Sequence, residues 1–263
     1  MLSGAFFVYI YSMLALYGLI GFPLTHSFSP AYFKMKFAAQ HLDAVYELFP
    51  IKAIREFPEL LKNNPDLAGL NVTTPYKEAI IRYIDDLDKV AEEIGAVNCL
   101  AFNDGKLKGY NTDAVAFEKS LNPLLKSQHT QALILGTGGS SKAVAYTLTQ
   151  LGIPYRKVSR DKTDEVFTYA ELSNEIIAHY KLIINTTPVG MYPNVDDVPP
   201  ISFRSIGENH LVYDLIYNPE ETKFLSLAKA RGAVVKNGFE MLQLQAEASW
   251  EIWNHGSETE DPD

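Results

Sequence analysis

Between residues 131 and 235 the chain alternates short apolar runs with helical stretches, and this alternation constrains the fold more than any other feature. The runs fall at 131–136, 155–159, 181–185, 211–214 and 233–235. A strand with a helix on either side cannot pair with its predecessor through a tight turn. The connection crosses over, the strands run parallel, and the helices cover both faces of the sheet. The first run, Leu133-Ile134-Leu135, passes into Gly136-Thr137-Gly138-Gly139-Ser140-Ser141 at the head of a helix. Glycine in such a turn lets backbone N–H groups approach a pyrophosphate at the helix N-terminus. Ser141 replaces the usual third glycine and is small enough for helix–strand packing. The plainer alternative is a glycine-rich turn with no ligand, and the surrounding alternation favours the dinucleotide reading. A P-loop is excluded, because Ser141 stands where its second glycine belongs. Ala143 also follows Lys142 where Ser or Thr must hold magnesium.

The second strand of the alternation ends at Val158-Ser159-Arg160. An NAD enzyme usually carries Asp or Glu at that strand end, bonded to the ribose 2′-hydroxyl. Here Arg160 is the first charged residue. A guanidinium can fork onto a 2′-phosphate and stack on adenine. The competing reading is a solvated surface arginine. Asn185 to Met191 and Tyr213 to Pro219 follow later strands, and they can border a cofactor cleft or serve as plain turns.

Ahead of this unit lies a stretch of different character. Residues 14–21 read as a buried strand. Ser29-Pro30 opens a helix through His41, with the serine placed as N-cap. A strand follows at 44–49, a helix at 52–63, a short strand at 68–72, and helical pattern from about 78 to 94. Asn103-Asp104-Gly105 between two apolar runs signals a hairpin. After the break at Asn237-Gly238, residues 239–253 form one long amphipathic helix.

Two polar runs stand out in the first half. Asn71-Val72-Thr73-Thr74-Pro75-Tyr76-Lys77 leaves a strand, and Asn111-Thr112-Asp113 opens the crossover into the second half. Asn71 and Thr73 alternate with apolar residues and can face one cleft. Carbonyl reduction needs a proton donor beside the carbonyl oxygen, and a partly desolvated lysine with a carboxylate partner can serve. Lys77 and Asp113 are the candidates; the bland readings are a solvated lysine and a helix cap. Ser27 and Ser29, at i and i+2, can converge on one carboxylate, and Ser29 can equally be only a helix cap.

Composition excludes several classes. At 47% apolar and 21% charged the chain is an ordinary globular sequence. Its net charge of −9 and lack of any basic cluster argue against a nucleic-acid partner. A single cysteine, Cys99, allows no intramolecular disulfide and fits a reducing cytoplasm. The histidines are scattered, and no Cys/His group has metal spacing. Residues 5–20 are largely apolar, but residues 1–12 hold no Lys or Arg, unlike a signal peptide. We expect no membrane association. Met13 is a natural start for the first strand, which makes residues 1–12 a dispensable extension or a misplaced start. The acidic tail, 256–263, is expected to be disordered.

Together these runs resemble the shikimate dehydrogenase family, from about Leu16 to Trp253. The resemblance rests on Tyr17 to Gly21, Ser27-Phe28-Ser29, Asn71 to Lys77, Ala96-Val97-Asn98, Asn111-Thr112-Asp113 and Gly136 to Ser141. It continues through Asn185 to Met191, Tyr213 to Pro219 and Gly238 to Leu242. It implies reduction of 3-dehydroshikimate to shikimate with NADPH, in the route to chorismate and the aromatic amino acids. It also implies that Ser27 and Ser29 hold the substrate carboxylate, that Thr73, Asn98, Asp113 and Gln245 hold its hydroxyls, and that Tyr217 lines the substrate cleft. Lys77 and Asp113 become the catalytic pair. Gly136, Gly138, Gly139, Ser159, Arg160, Thr186, Met191 and Gly238 fall where the family meets its cofactor, and no metal is implied. One departure is the run Ser159-Arg160-Asp161, where the family has Asn-Arg-Thr; the arginine is kept but an acid follows it. The rivals are a dual quinate/shikimate enzyme using NAD and a non-catalytic sensor on the same fold.

The expected architecture is α/β, with two domains. Residues 1–112 and 237–255 form an α/β substrate domain, and residues 113–236 a Rossmann-like doubly wound dinucleotide domain. The assembly stays open between monomer and homodimer.

Overall fold

The computed structural model describes residues 14–24, 27–103, 105–163 and 166–255. Residues 1–12 and 256–263, on which two expectations fall, lie outside the described residues. The chain builds two sheets in succession. The first uses β1 (Ala15–Ile20), β2 (Ala44–Phe49), β3 (Leu67–Val72), β4 (Asp86–Leu87), β5 (Cys99–Asn103) and β6 (Lys106–Tyr110). With these come helices α1 (Ser29–Ala39), α2 (Phe57–Asn63) and α3 (Lys89–Ile94). The strand order is β2-β1-β3-β5-β6-β4. β1 pairs in parallel with β2 and β3, whereas β3–β5 and β5–β6 are antiparallel.

The second sheet uses β7 (Ala132–Leu135), β8 (Tyr155–Ser159), β9 (Val166–Thr168), β10 (Leu182–Asn185), β11 (Leu211–Asp214) and β12 (Val234–Lys236). Its helices are α4 (Thr112–Leu121), which leads in, then α5 (Gly139–Gln150), α6 (Asn174–His179) and α7 (Lys223–Lys229); α8 (Phe239–His255) ends the described chain. All its pairings are parallel, in the order β12-β11-β10-β7-β8-β9. Counted from β7, this is the doubly wound order, whose switch point lies between β7 and β10. Its physical basis is legible in β7, where every residue is fully buried. Ala132 and Ile134 pack on one face with Val144, Leu148 and Tyr213. Leu133 and Leu135 pack on the other with Ile177, Val212 and Phe224. A strand covered on both faces reads as a continuous apolar run.

Helix α8 packs against both halves. Its first turns put Met241 and Leu244 into the core under the second sheet. Its later turns put Ala246, Trp250 and Trp253 against Tyr17, Phe33 and Phe37 of the first. Phe33 is fully buried and stacks on Tyr46 with ring centroids 4.5 Å apart. Its burial contributes about 1.5–3 kcal/mol. Gly69 of β3 has no room for a side chain, because the Trp253 indole occupies that space and donates from Nε1 to the Leu100 carbonyl at 3.0 Å.

Three elements differ from the sequence reading. The helical pattern at 78–94 is broken into a 3₁₀ turn at Ala79–Tyr83, the short β4, and α3. The break is tertiary: Asp85 Oδ2 accepts from the Leu107 amide at 2.8 Å, Asp86 pairs with Lys108 of β6, and Asp88 caps α3. The edge strand β9 was not anticipated, since three residues carry no period. Ser29 is not a cap; Phe28 occupies the N-cap position, and no side chain caps α1.

Candidate active site

The carboxyl ends of both sheets face one cavity of about 830 Å³. Residues leaving β1 and β3 line one wall, and those leaving β10 and β11 line the other. The first turns of α4, α5 and α8 close it. In open α/β sheets, ligands bind beyond the carboxyl ends of the strands, so this is the expected place for a site.

Lys77 reaches the cavity from the loop after β3. That loop is fixed at both ends: the Thr73 amide donates to the Ile20 carbonyl at 2.9 Å, and the Lys77 carbonyl accepts from Val97 at 2.7 Å. Lys77 Nζ donates to Asp113 Oδ2 at 2.6 Å, with both side chains largely buried. Asp113 is free to make this contact because Asn111 caps α4, its Oδ1 accepting from the Ala114 amide at 3.2 Å. The cap reading of Asp113 is thereby overturned. The carboxylate sits in the first turn of α4, where the helix dipole favours negative charge. Its other oxygen accepts from Asn98 Nδ2 at 2.9 Å.

Behind this pair runs a buried polar chain. Asn98 also donates to Thr112 Oγ1 at 2.9 Å and accepts from the Thr112 amide at 2.7 Å. Thr112 Oγ1 meets Ser249 Oγ at 3.3 Å, and Ser249 accepts from Asn71 Nδ2 at 2.8 Å. Asn71 Oδ1 accepts from the Tyr46 hydroxyl at 2.8 Å. Burial holds the Tyr46 phenol well above its usual pKa, with the Ser29 hydroxyl opposing in part. Among the described residues no buried side-chain polar atom lacks a partner. A fully satisfied network of this kind holds its members in one geometry.

Ser27, Ser29, Thr73, Asn98, Tyr217 and Gln245 line the same cavity. Among the described residues Lys77 is the only basic residue in its lining and Asp113, bound to it, the only acidic one, so an acidic ligand would meet hydroxyl and amide groups at the remaining polar positions. Burial also raises the Tyr217 phenol, and Phe28 packs edge-on to its ring at 6.2 Å.

Thr186, Met191 and Gly238 line the opposite wall. Gly136, Gly138, Gly139, Ser159 and Arg160 do not line the cavity; they lie at the ends of β7 and β8. Gly136 has φ +114°, and a Cβ there would meet Thr186 Oγ1 at 2.6 Å, so only glycine fits. A Cβ on Gly138 would meet nothing within 4 Å, which leaves open space above the first turn of α5. Ser141 and Lys142 donate their amides to the Gly138 carbonyl at 2.9 and 3.3 Å, which leaves the Gly139 and Ser140 amides at the head of the helix with no carbonyl one turn back. Open space over such donors suits a pyrophosphate. The Gly136 amide donates to the Val158 carbonyl at 2.8 Å, which sets the exposed Arg160 beside the turn.

Residues 19–100 match the family model of the shikimate dehydrogenase substrate-binding domain. A Bacillus cereus protein named shikimate dehydrogenase (NADP(+)) is 36% identical, covering 92% of this chain and 93% of its own. The chain belongs to the shikimate dehydrogenase family. The Aquifex aeolicus shikimate dehydrogenase structure superposes with a TM-score of 0.82 at 36% identity, covering 94% of each chain. The Thermus thermophilus enzyme, in complex with NADP(H) and shikimate, gives 0.82 at 29% identity, covering 92% of this chain and 94% of its own. The α/β architecture, with a doubly wound second sheet, is the one the family resemblance implied.

Against the family reading, the structure adds residues that sequence reasoning had not placed in the site. Ser140 lines the cavity and touches Lys77. Asn71, Tyr46, Thr112 and Ser249 form the polar chain behind Asp113. Asn71, which the sequence reading set facing the cleft, does line it, and Thr112 lies beside Asp113 in the same polar run. Ser249 lies 178 positions from Asn71 and carried no local signal.

Proposed function

We propose that this chain is an NADP-dependent shikimate dehydrogenase, reversibly reducing 3-dehydroshikimate to shikimate on the way to chorismate and the aromatic amino acids. The observation that carries this reading is the buried Lys77–Asp113 pair, 2.6 Å apart, opening into a cavity beside the glycine-rich turn. When bound, NADPH supplies the hydride to the carbonyl carbon. Lys77 Nζ gives a proton to the carbonyl oxygen as it becomes a hydroxyl, and takes one back in the reverse direction. Asp113 orients the ammonium, and Asn98 orients Asp113. Ser27 and Ser29 receive the substrate carboxylate, while Thr73, Asn98, Asp113 and Gln245 receive its hydroxyls, with Tyr217 against the ring.

Gly136, Gly138, Gly139 and Ser159 would hold the cofactor at the ends of β7 and β8. Arg160 would fork onto the 2′-phosphate, and Thr186, Met191 and Gly238 would border the nicotinamide end. Residues 1–112 with 237–255 then act as the substrate domain and 113–236 as the cofactor domain. The assembly is a monomer or a homodimer. We place the enzyme in the cytoplasm, on the support of its lone cysteine; burial pushes the Cys99 thiol up to about 12, so it is inert. No helix among the described residues is long and apolar enough to cross a membrane.

The test is direct. The purified chain is given shikimate or quinate with NADP or NAD, and reduced nicotinamide is followed by absorbance. The expected result is the highest kcat/KM with shikimate and NADP. A preference for quinate and NAD would move the chain to the dual-specificity reading, and no turnover with any pair would make it a sensor.

A further inference from the structure

The loop that carries Lys77 is gripped by the first turn of α5 at three points. Lys77 Nζ donates to Ser140 Oγ at 3.3 Å, its second side-chain partner after Asp113. A Cβ on Gly139 would meet Lys77 Cβ at 3.1 Å, so the lysine stem lies directly against the turn. One residue beyond the lysine, Glu78 accepts from Lys142 Nζ at 2.6 Å. The turn that suits a pyrophosphate is therefore also a wall of the lysine's own pocket.

We propose that Ser140 is a positioning residue for Lys77. This rests on the reading that Lys77 moves the proton. An ammonium offers three N–H bonds. One goes to Asp113 and one to Ser140, and the third direction remains for the oxygen of the reacting carbon. Without the Ser140 hydroxyl, the long flexible stem keeps only one fixed partner, and the Nζ sweeps a wider arc. Proton transfer depends on the donor being held within hydrogen-bond reach of its target, so the loss falls on the chemical step. Ser140 also shares its turn with the pyrophosphate cradle, so the cofactor's seat and the proton donor are aligned by the same few residues.

Ser140→Ala tests this in two ways, with thermal melts to confirm folding. In turnover, kcat should fall by about 2- to 10-fold, the worth of one ordinary hydrogen bond. KM for shikimate and Kd for NADP should stay within about twofold, and Ser140→Thr should recover most of kcat by restoring a hydroxyl. In the cofactor-free protein, trinitrobenzenesulfonate modification of Lys77, located by peptide mass spectrometry, should quicken by about the same factor in Ser140→Ala. Parent-like kcat together with a parent-like Lys77 modification rate would overturn the proposal. A tenfold weaker Kd for NADP with Lys77 modification unchanged would also overturn it, since the hydroxyl would then serve the cofactor. The modification result needs no turnover, so it stands apart from the proposed activity, which would instead fall if the parent enzyme failed to oxidise shikimate.

Discussion

Removing the Lys77 amine should separate catalysis from stability in a way the geometry makes quantitative. In Lys77→Ala the Asp113 carboxylate, 5% exposed, loses its cation. Breaking a buried pair by removing one partner costs roughly 3–5 kcal/mol. Asp113 keeps the Asn98 Nδ2 bond at 2.9 Å and its place in the first turn of α4, both of which favour the anion. The loss should therefore sit near the lower end, about 3 kcal/mol, which lowers Tm by roughly 6–12 °C for a chain of this size. Adding Asp113→Asn removes the orphaned charge while leaving an amide oxygen for Asn98, so the double variant should regain most of that stability. Turnover should not follow. Lys77→Ala should lose about 10²- to 10⁴-fold in kcat, the usual worth of a positioned acid or base, with a much smaller change in shikimate KM. The double variant should stay equally slow although it melts near the parent. The assays are steady-state kinetics at saturating NADP and thermal denaturation of all three variants. A kcat for Lys77→Ala within about tenfold of the parent, or a defect confined to KM, would refute the proton-transfer role. A double variant no more stable than Lys77→Ala would refute the account of the buried charge.

Three further outcomes are expected. Arg160→Ala should weaken NADP by about 10- to 100-fold, as one hydrogen bond to a charged group implies, and leave NAD nearly unchanged; equal weakening of both cofactors in kcat/KM would remove Arg160 as the phosphate reader. Gly238→Ala should destabilise by about 1–3 kcal/mol in urea melts, because its new methyl would press on the Leu215 carbonyl, and a wild-type midpoint would contradict that contact. Burial raises Asp214 from 3.8 to about 6, only partly opposed by bonds from Thr222, Ile216 and Asn185. Its stabilising contribution is thus complete below the unfolded value and lost as pH rises through about 6, a change of roughly 3 kcal/mol. Asp214→Asn should accordingly gain on the parent between about pH 4 and about pH 6 and hold a constant difference above about pH 7; stability curves that stay parallel from about pH 4 to about pH 6 would exclude the shift.

How much of this was legible in the chain depends on the range over which each feature is encoded. The parallel second sheet was readable because burial on both faces leaves a continuous apolar run, as in β7, and crossover helices leave their own period. The glycine turn was readable because the backbone demand at Gly136 is local. Lys77 and Asp113 could be picked out as candidates, since each stands in a polar run at a strand exit or helix start. What only the tertiary structure decided was pairing. Asp113 joins Lys77 rather than capping α4 because Asn111 takes the cap. The helical pattern after Lys77 breaks because Asp85 and Asp86 find partners on β6, twenty-odd residues away. Ser249 reaches Asn71 and Thr112 only once α8 lies across both sheets. Ser140 meets Lys77 only once the second sheet docks on the first. Period and backbone demand act over a few residues and are written in order along the chain. Hydrogen bonds between buried side chains depend on distances that exist only after the elements pack, and no local pattern records them.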